Sequence, residues 1–205
     1  VVHAWRPGHW YTNMFEVGGF GPDKEGEGGL QLNFSRGGFQ GGEGTTEGEA
    51  WYIENVLEEL DSPREWYYDD ATQRLYYRPN GTASTPPTAG FTATRLKTLI
   101  NISGTMAAPV RDVTIEGLVL RDTAYTYFEP HGLPSGGDWA LQRQGAVTLE
   151  GTEGVRIAGN LFTALDGIGV FAGGYHRGLA IEANEFAGLG ESAIALWGDT
   201  GECLT

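Results

Sequence analysis

Two acidic residues, Asp166 and Glu191, each stand shortly before a short apolar segment. A pair of carboxyl groups is the machinery of most glycosidases, in which one protonates the leaving oxygen and the other acts as base or nucleophile. Arg143 could keep one carboxylate ionised while the other, more buried, stays protonated. His131 is a further catalytic candidate, as a base or proton shuttle. These residue types could therefore carry acid–base chemistry.

The stretch from about Tyr125 to Gln142 mixes aromatic rings with ionisable groups. This combination binds sugars, because rings stack on the sugar face and polar groups bond its hydroxyls. We therefore predict substrate-binding roles for residues in this stretch and near it. The candidates are Tyr127, Asp138, Trp139, Arg143 and Trp197.

Each candidate also has a purely structural interpretation. Carboxylates at turns commonly accept hydrogen bonds from backbone amides, so Asp166 and Glu191 could be turn caps. Lone histidines in loops, such as His131, are usually neither bases nor shuttles. Trp197 could simply cover the edge of the structure, and the sequence leaves these alternatives open.

A repeat of 24 residues indicates the structure that positions these side chains. Five positions recur with their apolar, small or amide character kept, from Val155, Ile157, Gly159, Asn160 and Phe162 to Leu179, Ile181, Ala183, Asn184 and Phe186. The same frame fits residues 113–120, which lie 42 positions before 155–162, and 42 is 24 plus an 18-residue insertion. A period this short without helical spacing predicts one coil of β-strands per repeat.

A second set of predicted strands follows the same period. It comprises Leu99–Ile102, Ala146–Leu149, Ile168–Ala172 and Ile194–Trp197. Its inward-facing residues are predicted to be Val147, Leu149, Val170, Ala172, Ile194 and Leu196. Stacked coils place equivalent residues about 4.8 Å apart, so like side chains form ladders. We expect residues 113–120, 155–162 and 179–186 to stack as one parallel sheet, with Ile115, Ile157 and Ile181 as its buried ladder. We expect Asn160 and Asn184 to form another at a bend, where they bond backbone groups that the bend leaves unpaired.

The same period brings the two acidic residues together. With a 24-residue step, Asp166 aligns with Gly190 and Gly167 aligns with Glu191. One coil spacing and one residue step then separate the carboxylates by roughly 5–9 Å. That interval includes the about 5–5.5 Å of retaining glycosidases and the about 6.5–9.5 Å of inverting ones, so the stereochemical outcome stays open.

The repeat resembles the right-handed parallel β-helix of the pectin-lyase-like superfamily, in its glycosidase-like branch. Upstream, Trp51–Asp61 followed by Glu65–Asp69 and Arg74–Pro79 is similar to a segment that precedes the coils in many such proteins. The last two stretches are aromatic strands around a polar turn and predict a hairpin. The predicted fold is all-β. Residues 1–95 form an N-terminal cap of loops and the hairpin, and residues 96–205 form coils of about 24 residues that continue beyond residue 205.

Within the cap, Gly18–Gly48 carries many glycines and acids without periodicity and is predicted to be a long loop. A calcium ion near Asp23, Glu25 and Glu27 is an alternative to simple solvation of this loop. No other cofactor or metal is expected.

Composition limits the partners of the protein. The chain has 205 residues and a net charge of -14, which repels nucleic acid and anionic lipid. Its apolar stretches are far shorter than the about 20 residues that a bilayer crossing needs, so no membrane insertion is expected. The single cysteine, Cys203, excludes an internal disulfide and leaves its own partner open.

Three N-x-S/T sequons, at Asn33, Asn80 and Asn101, exceed the about one expected by chance. They predict exposed, glycosylated asparagines in a secreted, extracellular protein. The chain begins Val1-Val2-His3, without an initiator methionine or signal peptide, as a processed or fragmentary chain does.

The resemblance implies a secreted carbohydrate-active protein, glycoside-hydrolase-like, that takes a polysaccharide or glycan. A polysaccharide lyase is a weaker alternative, because Arg143 and Arg177 are the only basic residues near the predicted coil turns. The alternative from another class is a non-catalytic structural or adhesive β-helix of a matrix, filament or appendage, with further coils or subunits at its C-terminal edge.

Overall fold

The computed structural model describes residues 1–9, 12–22, 29–38, 50–81, 87, 90–132 and 141–198, with Leu141 described by its backbone alone. This part of the chain is all-β, without an α-helix. None of its helical segments has the length and apolar character that a membrane crossing requires. The chain divides into two compact units, Val1–Phe91 and Thr92–Thr205.

The first unit is antiparallel. Its strands are β1 (Val2–Trp5), β2 (Thr12–Pro22), β3 (Leu30–Gly37), β4 (Trp51–Ile53), β5 (Trp66–Asp69) and β6 (Arg74–Tyr77). Four of them form a sheet in the order β3-β2-β1-β4, and a single 3₁₀ turn, Leu57–Glu59, follows β4. Strands β5 and β6 pair as the predicted aromatic hairpin, with Trp66 opposite Tyr77.

The predicted long loop over Gly18–Gly48 is wrong for two of its parts. Residues 18–22 belong to β2 and residues 30–37 are β3, and the two strands pair along their length. Glycine allows this pairing to be close, since a Cβ on Gly18 would lie 3.0 Å from the Ser35 Cβ. The glycines that appeared to break the pattern therefore belong to a strand.

The second unit is built mainly of parallel sheets. Its strands are β7 (Ile100–Ser103), β8 (Val110–Arg111), β9 (Thr114–Glu116), β10 (Val119–Thr123), β11 (His131–Gly132), β12 (Leu141–Gln142), β13 (Gly145–Glu153), β14 (Arg156–Ala158), β15 (Leu161–Leu165), β16 (Ile168–Arg177), β17 (Ala180–Glu182), β18 (Glu185–Leu189) and β19 (Ile194–Trp197). The three parallel sheets have the orders β19-β16-β13-β7, β17-β14-β9 and β10-β15-β18, and β8 also pairs with β13. Strands β11 and β12 form a small antiparallel pair within the insertion.

The register of these sheets follows the repeat. Ile157 pairs with Ile115 on one side and Ile181 on the other, which confirms the predicted isoleucine ladder. The prediction of one sheet for this repeat was wrong, because each copy divides between two sheets. The chain bends between them at Gly159 (φ 62°) and Ala183 (φ 53°), in the left-handed region that ends a straight strand.

One face of the sheet β19-β16-β13-β7 packs into the core. Its buried residues include Val147, Leu149, Val170 and Ala172, as predicted. Ile194 and Leu196 share this face through their pairing with Val170 and Ala172, but they are 40% and 68% exposed. They face inward as predicted, and they stay exposed because β19 is the last strand of this sheet within the described residues and no described strand covers it.

The asparagine ladder lies at the bend before β15. The Asn160 Oδ1 accepts from the Leu118 amide at 3.0 Å, and the Asn160 Nδ2 donates to the Ile115 carbonyl and to the Asn184 Oδ1. The Asn184 Nδ2 donates in turn to the Ile157 carbonyl at 2.8 Å. These side chains bond the backbone groups that the bend would leave unpaired, which confirms the prediction.

Charged residues form a second ladder on the outer face of the sheet β17-β14-β9. The Arg156 Nε donates to Glu182 at 2.8 Å, and its Nη1 donates to Glu116 at 3.2 Å. All three side chains are well exposed, so water screens these ion pairs.

Candidate functional site

The candidate acids lie in two neighbouring turns of the second unit. Asp166 and Gly167 connect β15 to β16, and residues 190–193 connect β18 to β19. The Gly190 amide donates to the Leu165 carbonyl at 2.7 Å, and the Glu191 amide donates to the Gly167 carbonyl at 3.3 Å. The 24-residue register therefore extends through the turns, with Glu191 beside Gly167.

The two acids have different surroundings. Asp166 is exposed, whereas Glu191 is partly buried, and its Oε2 has almost no solvent access and no hydrogen-bond partner among the described residues. Burial raises the pKa of Glu191 to about 7, because a charge there would lose its hydration. At neutral pH, a large share of Glu191 is thus protonated, as a proton donor must be.

The start of the insertion lies on the Asp166 turn. The Thr126 amide donates to the Asp166 carbonyl at 3.2 Å, and the Asp166 amide donates to the Thr123 Oγ1 at 3.1 Å. A Cβ on Gly167 would lie 2.6 Å from the Thr126 Oγ1, so this contact requires a residue without a side chain. Thr126 is buried, and its hydroxyl has no hydrogen-bond partner within the described residues.

His131 is half-buried on β11 of the insertion. Its Nδ1 contacts the Glu129 carbonyl at 2.8 Å and therefore carries the hydrogen, since a carbonyl only accepts. Its Nε2 then accepts from the Gln142 Nε2 at 3.3 Å. Burial lowers the pKa of His131, so both the bonding pattern and the burial favour the neutral ring.

A pocket of about 450 Å³ lies on the outer face of β7 and β13, beside the insertion. Its polar walls are Thr98, Asn101, Gln142, Arg143, Gln144 and Thr148, and Glu129 and Pro130 complete it. Glu129 is held by an ion pair with Lys97. The pocket therefore offers amides, hydroxyls and one guanidinium, and none of Asp166, Glu191 and His131 lines it.

Two aromatic rings orient Arg143 at this pocket. Its guanidinium carbon lies 5.0 Å from the Trp197 ring centre and 5.6 Å from that of Phe171. A Cβ on Gly173 would come within 2.7 Å of the Arg143 Nη2, and one on Gly132 would overlap the Trp197 ring. Both glycines thus leave room for this stack, which also receives cation–π stabilisation.

The structure distributes the other predicted binding residues as follows. Trp197 packs on the cluster of Ile168, Phe171 and Ala195, and Tyr127 packs edge-on against Phe128 and His131. Neither ring lines the pocket. Asp138 and Trp139 lie outside the described residues.

Sequence reasoning missed the buried amide of Gln142. This side chain is 1% exposed, lines the pocket, and has an Oε1 without a hydrogen-bond partner among the described residues. Its position directly before Arg143 was the available signal, but a glutamine in a loop is ordinarily solvated. Its burial is seen only in the structure, where Gln142 pairs with His131 across β11 and β12.

Across the described ranges, no group of three His, Cys, Asp or Glu residues is arranged to hold a metal ion. The calcium candidates Asp23, Glu25 and Glu27 lie outside those ranges, as does Cys203. The sequon asparagines Asn33, Asn80 and Asn101 are all exposed, as predicted.

No protein-family model, curated protein or solved structure matches the chain. Functional inference therefore rests on its own residues and their geometry.

Proposed function

We propose that the second unit is a right-handed parallel β-helix and that the protein is a secreted, carbohydrate-active, glycoside-hydrolase-like enzyme. The three parallel sheets support the architecture, because their strands recur in the same order at the same period. The asparagine ladder supports it further, since it links successive copies of the same bend.

The observation that carries the catalytic proposal is the contrast between Glu191 and Asp166. Glu191 is largely buried, with a pKa of about 7, and acts as the general acid that protonates the leaving oxygen. Asp166 is exposed on the adjacent turn and acts as the ionised base or nucleophile. Two carboxyl groups whose surroundings differ in this way are the usual assignment of acid and base in glycoside hydrolysis.

The proposed ligand is a polysaccharide or glycan. The pocket beside the insertion offers amides and a guanidinium that match sugar hydroxyls and ring oxygens. Trp197 supports Arg143 rather than forming a bare platform. His131 then acts through Gln142 rather than on the substrate, because its Nε2 contacts that amide.

Secretion and glycosylation belong to the same proposal. Three exposed sequon asparagines support them. A net charge of -14 supports a neutral glycan as ligand over nucleic acid.

Hydrolysis of a panel of polysaccharides tests the enzyme. We expect Glu191→Gln and Asp166→Asn each to lower turnover at least about 100-fold, because each removes one half of the acid–base pair. Thr163→Ser, on the neighbouring strand, is the matched control and keeps activity. Turnover should also fall as the pH rises through about 7, because Glu191 then loses its proton. Full activity in both variants would move the active site elsewhere.

A non-catalytic structural or adhesive β-helix is the second candidate. Two observations favour it. The acids do not line the described pocket, and Leu196 is 68% exposed on β19, the last strand of its sheet within the described residues, where further coils or a subunit would pair. Absence of hydrolysis of every glycan, with retained binding to a surface or to a second copy, would select this function.

A further inference from the structure

Asn101 belongs both to a sequon and to the pocket wall. It lies on β7 between Ile100 and Ile102, and Ile102 is buried in the core, so Asn101 faces the opposite side. It pairs with Thr148, which also lines the pocket. Asn101 is exposed, and its amide has no hydrogen bond to any described residue. The nitrogen that receives an N-linked glycan is therefore unengaged and borders the pocket.

The Arg143 guanidinium gives the pocket hydrogen-bond donors that no described residue engages. Two aromatic rings hold it, and its ion pair with Glu150 has a separation of 3.9 Å, too long for a hydrogen bond. A sugar in the pocket supplies what this group lacks, because the oxygens of a sugar accept hydrogen bonds from a guanidinium.

We propose that N-glycosylation of Asn101 seats the first sugar of that glycan in this pocket and so closes it to free ligands. The modification forms a bond from the Asn101 Nδ2 to the anomeric carbon of an N-acetylglucosamine. It breaks the bond between that carbon and the diphosphate of a lipid-linked oligosaccharide donor. The lipid diphosphate leaves, and the amide nitrogen loses one proton.

The order of the chain favours this arrangement. Asn101 precedes the pocket walls Glu129–Pro130 and Gln142–Gln144 in the sequence. Sequons are modified as the chain emerges, before these later segments have folded. The walls therefore fold around a sugar that is already attached.

The proposal rests on the proposed function for secretion and for the nature of the ligand that is kept out. Its consequence is regulatory. A molecule glycosylated at Asn101 has its pocket filled by a tethered sugar, whereas a molecule without that glycan has an open pocket. Asn33 and Asn80 lie in the first unit and do not line this pocket, so their glycans serve as internal controls.

Chemical footprinting of Arg143 tests the proposal without knowledge of the substrate. The full chain is secreted from insect cells behind a cleavable signal peptide, and glycan occupancy at each sequon is mapped by mass spectrometry. Phenylglyoxal then modifies exposed guanidinium groups, and the rates at Arg143 and Arg177 are followed peptide by peptide. Arg177 is exposed and does not line the pocket, so it reports general reactivity.

We expect Asn101 to be occupied and Arg143 to be protected. If the sugar fills the pocket nine-tenths of the time, modification of Arg143 slows about tenfold, because the rate follows the open fraction. Ser103→Ala removes the sequon but keeps Asn101, and it should restore the fast rate, as should Asn101→Gln. Asn33→Gln and Asn80→Gln should leave Arg143 protected, and Arg177 should react equally in all variants.

An unoccupied Asn101 in chains that are glycosylated at the other sequons would overturn the proposal. So would equal Arg143 rates in the occupied protein and in Ser103→Ala. Both results are independent of catalysis. If no polysaccharide is hydrolysed while Arg143 is protected, the proposed enzymatic function is rejected and the proposal of a sugar-filled pocket is supported.

Discussion

The two ends of strand β15 differ in how their polar groups are satisfied. At its start, every side-chain polar atom of Asn160 has a protein partner, although the residue is 2% exposed. At its end, the turn that holds Asp166 adjoins two buried oxygens, the Thr126 Oγ1 and the Glu191 Oε2, that have no hydrogen bond to the part of the chain that the structure describes. The five residues of β15 thus separate a bend whose buried polar atoms are all hydrogen-bonded from a turn where two are not.

This difference fits a structural role for the bend and the catalytic role proposed for the turn. Buried polar atoms normally have partners, so an asparagine with all its partners needs no ligand to explain it. A buried carboxyl group without a hydrogen-bond partner lowers the stability of the fold. Such groups are concentrated at functional sites, where a substrate or a proton can satisfy them. Truncating Asn160 at the bend should therefore destabilise the protein, whereas removing the charge of Glu191 at the turn should stabilise it.

Replacing Asn160 with Ala should have the largest effect on stability. The change strands the Leu118 amide and the Ile115 carbonyl and removes the bond to Asn184, so we expect a loss of about 4 kcal/mol in the free energy of unfolding. Urea unfolding monitored by circular dichroism measures it. Asn184→Ala is the control and should cost less, because Asn184 is partly exposed. A loss below about 1 kcal/mol for Asn160→Ala would show that the hydrogen bonds of this bend do not stabilise the fold.

Replacing Ile157 with Ala should have the next largest effect. Ile157 is fully buried between Ile115 and Ile181, so we expect a loss of about 3 kcal/mol in urea unfolding from the cavity that remains. Ile181→Ala should cost clearly less, because Ile181 is only partly buried. Equal losses would mean that the ladder is covered beyond Ile181.

At the turn, Glu191→Gln should stabilise the protein, and only at high pH. The folded state holds the Glu191 proton up to about pH 7, whereas the unfolded chain releases it near pH 4.5. Between those values the folded state binds more protons, so the stability of the wild type falls as the pH rises. At pH 8 we expect the free energy of unfolding of Glu191→Gln to exceed that of the wild type by about 2 kcal/mol, after allowance for the partial exposure of the side chain. At pH 4 we expect no difference between the two proteins. A destabilised variant at pH 8 would show that the carboxylate is bonded after all.

The exposed charge ladder should show the smallest effect. Arg156→Met keeps the side-chain stem but removes the bonds to Glu116 and Glu182, and we expect a loss below about 1 kcal/mol, further reduced by salt. Thermal unfolding at low and high ionic strength measures it. A large loss of stability that does not depend on salt would mean that these exposed ion pairs stabilise the protein as strongly as the buried hydrogen bonds of Asn160.

Repetition made the second unit predictable from the sequence. The isoleucine and asparagine ladders follow from a side-chain pattern that returns every 24 residues, because parallel stacking aligns equal positions. The strands β2 and β3 were missed for the opposite reason. Leu30, Leu32 and Phe34 alternate with polar residues, but glycines in the paired strand hide its period.

The site was predictable only where it follows the repeat. The adjacency of Glu191 and Gly167 came from counting, whereas the burial of Glu191 did not. The insertion has no counterpart in the other copies, so its folding could not be derived from the period. For this reason the buried Gln142 amide and the pocket that it lines were visible only in the structure.

The central claim is that the turn holds a carboxyl group that stays protonated near neutral pH. Carbon-13 NMR of the glutamate side-chain carboxyl groups, followed from pH 4 to pH 9 in the full chain, measures this directly, and the signal missing from Glu191→Gln identifies the residue. We predict that this signal titrates with a midpoint of about 7. A midpoint near 4.5, the ordinary glutamate value, would contradict the account and leave the turn as structural as the asparagine bend.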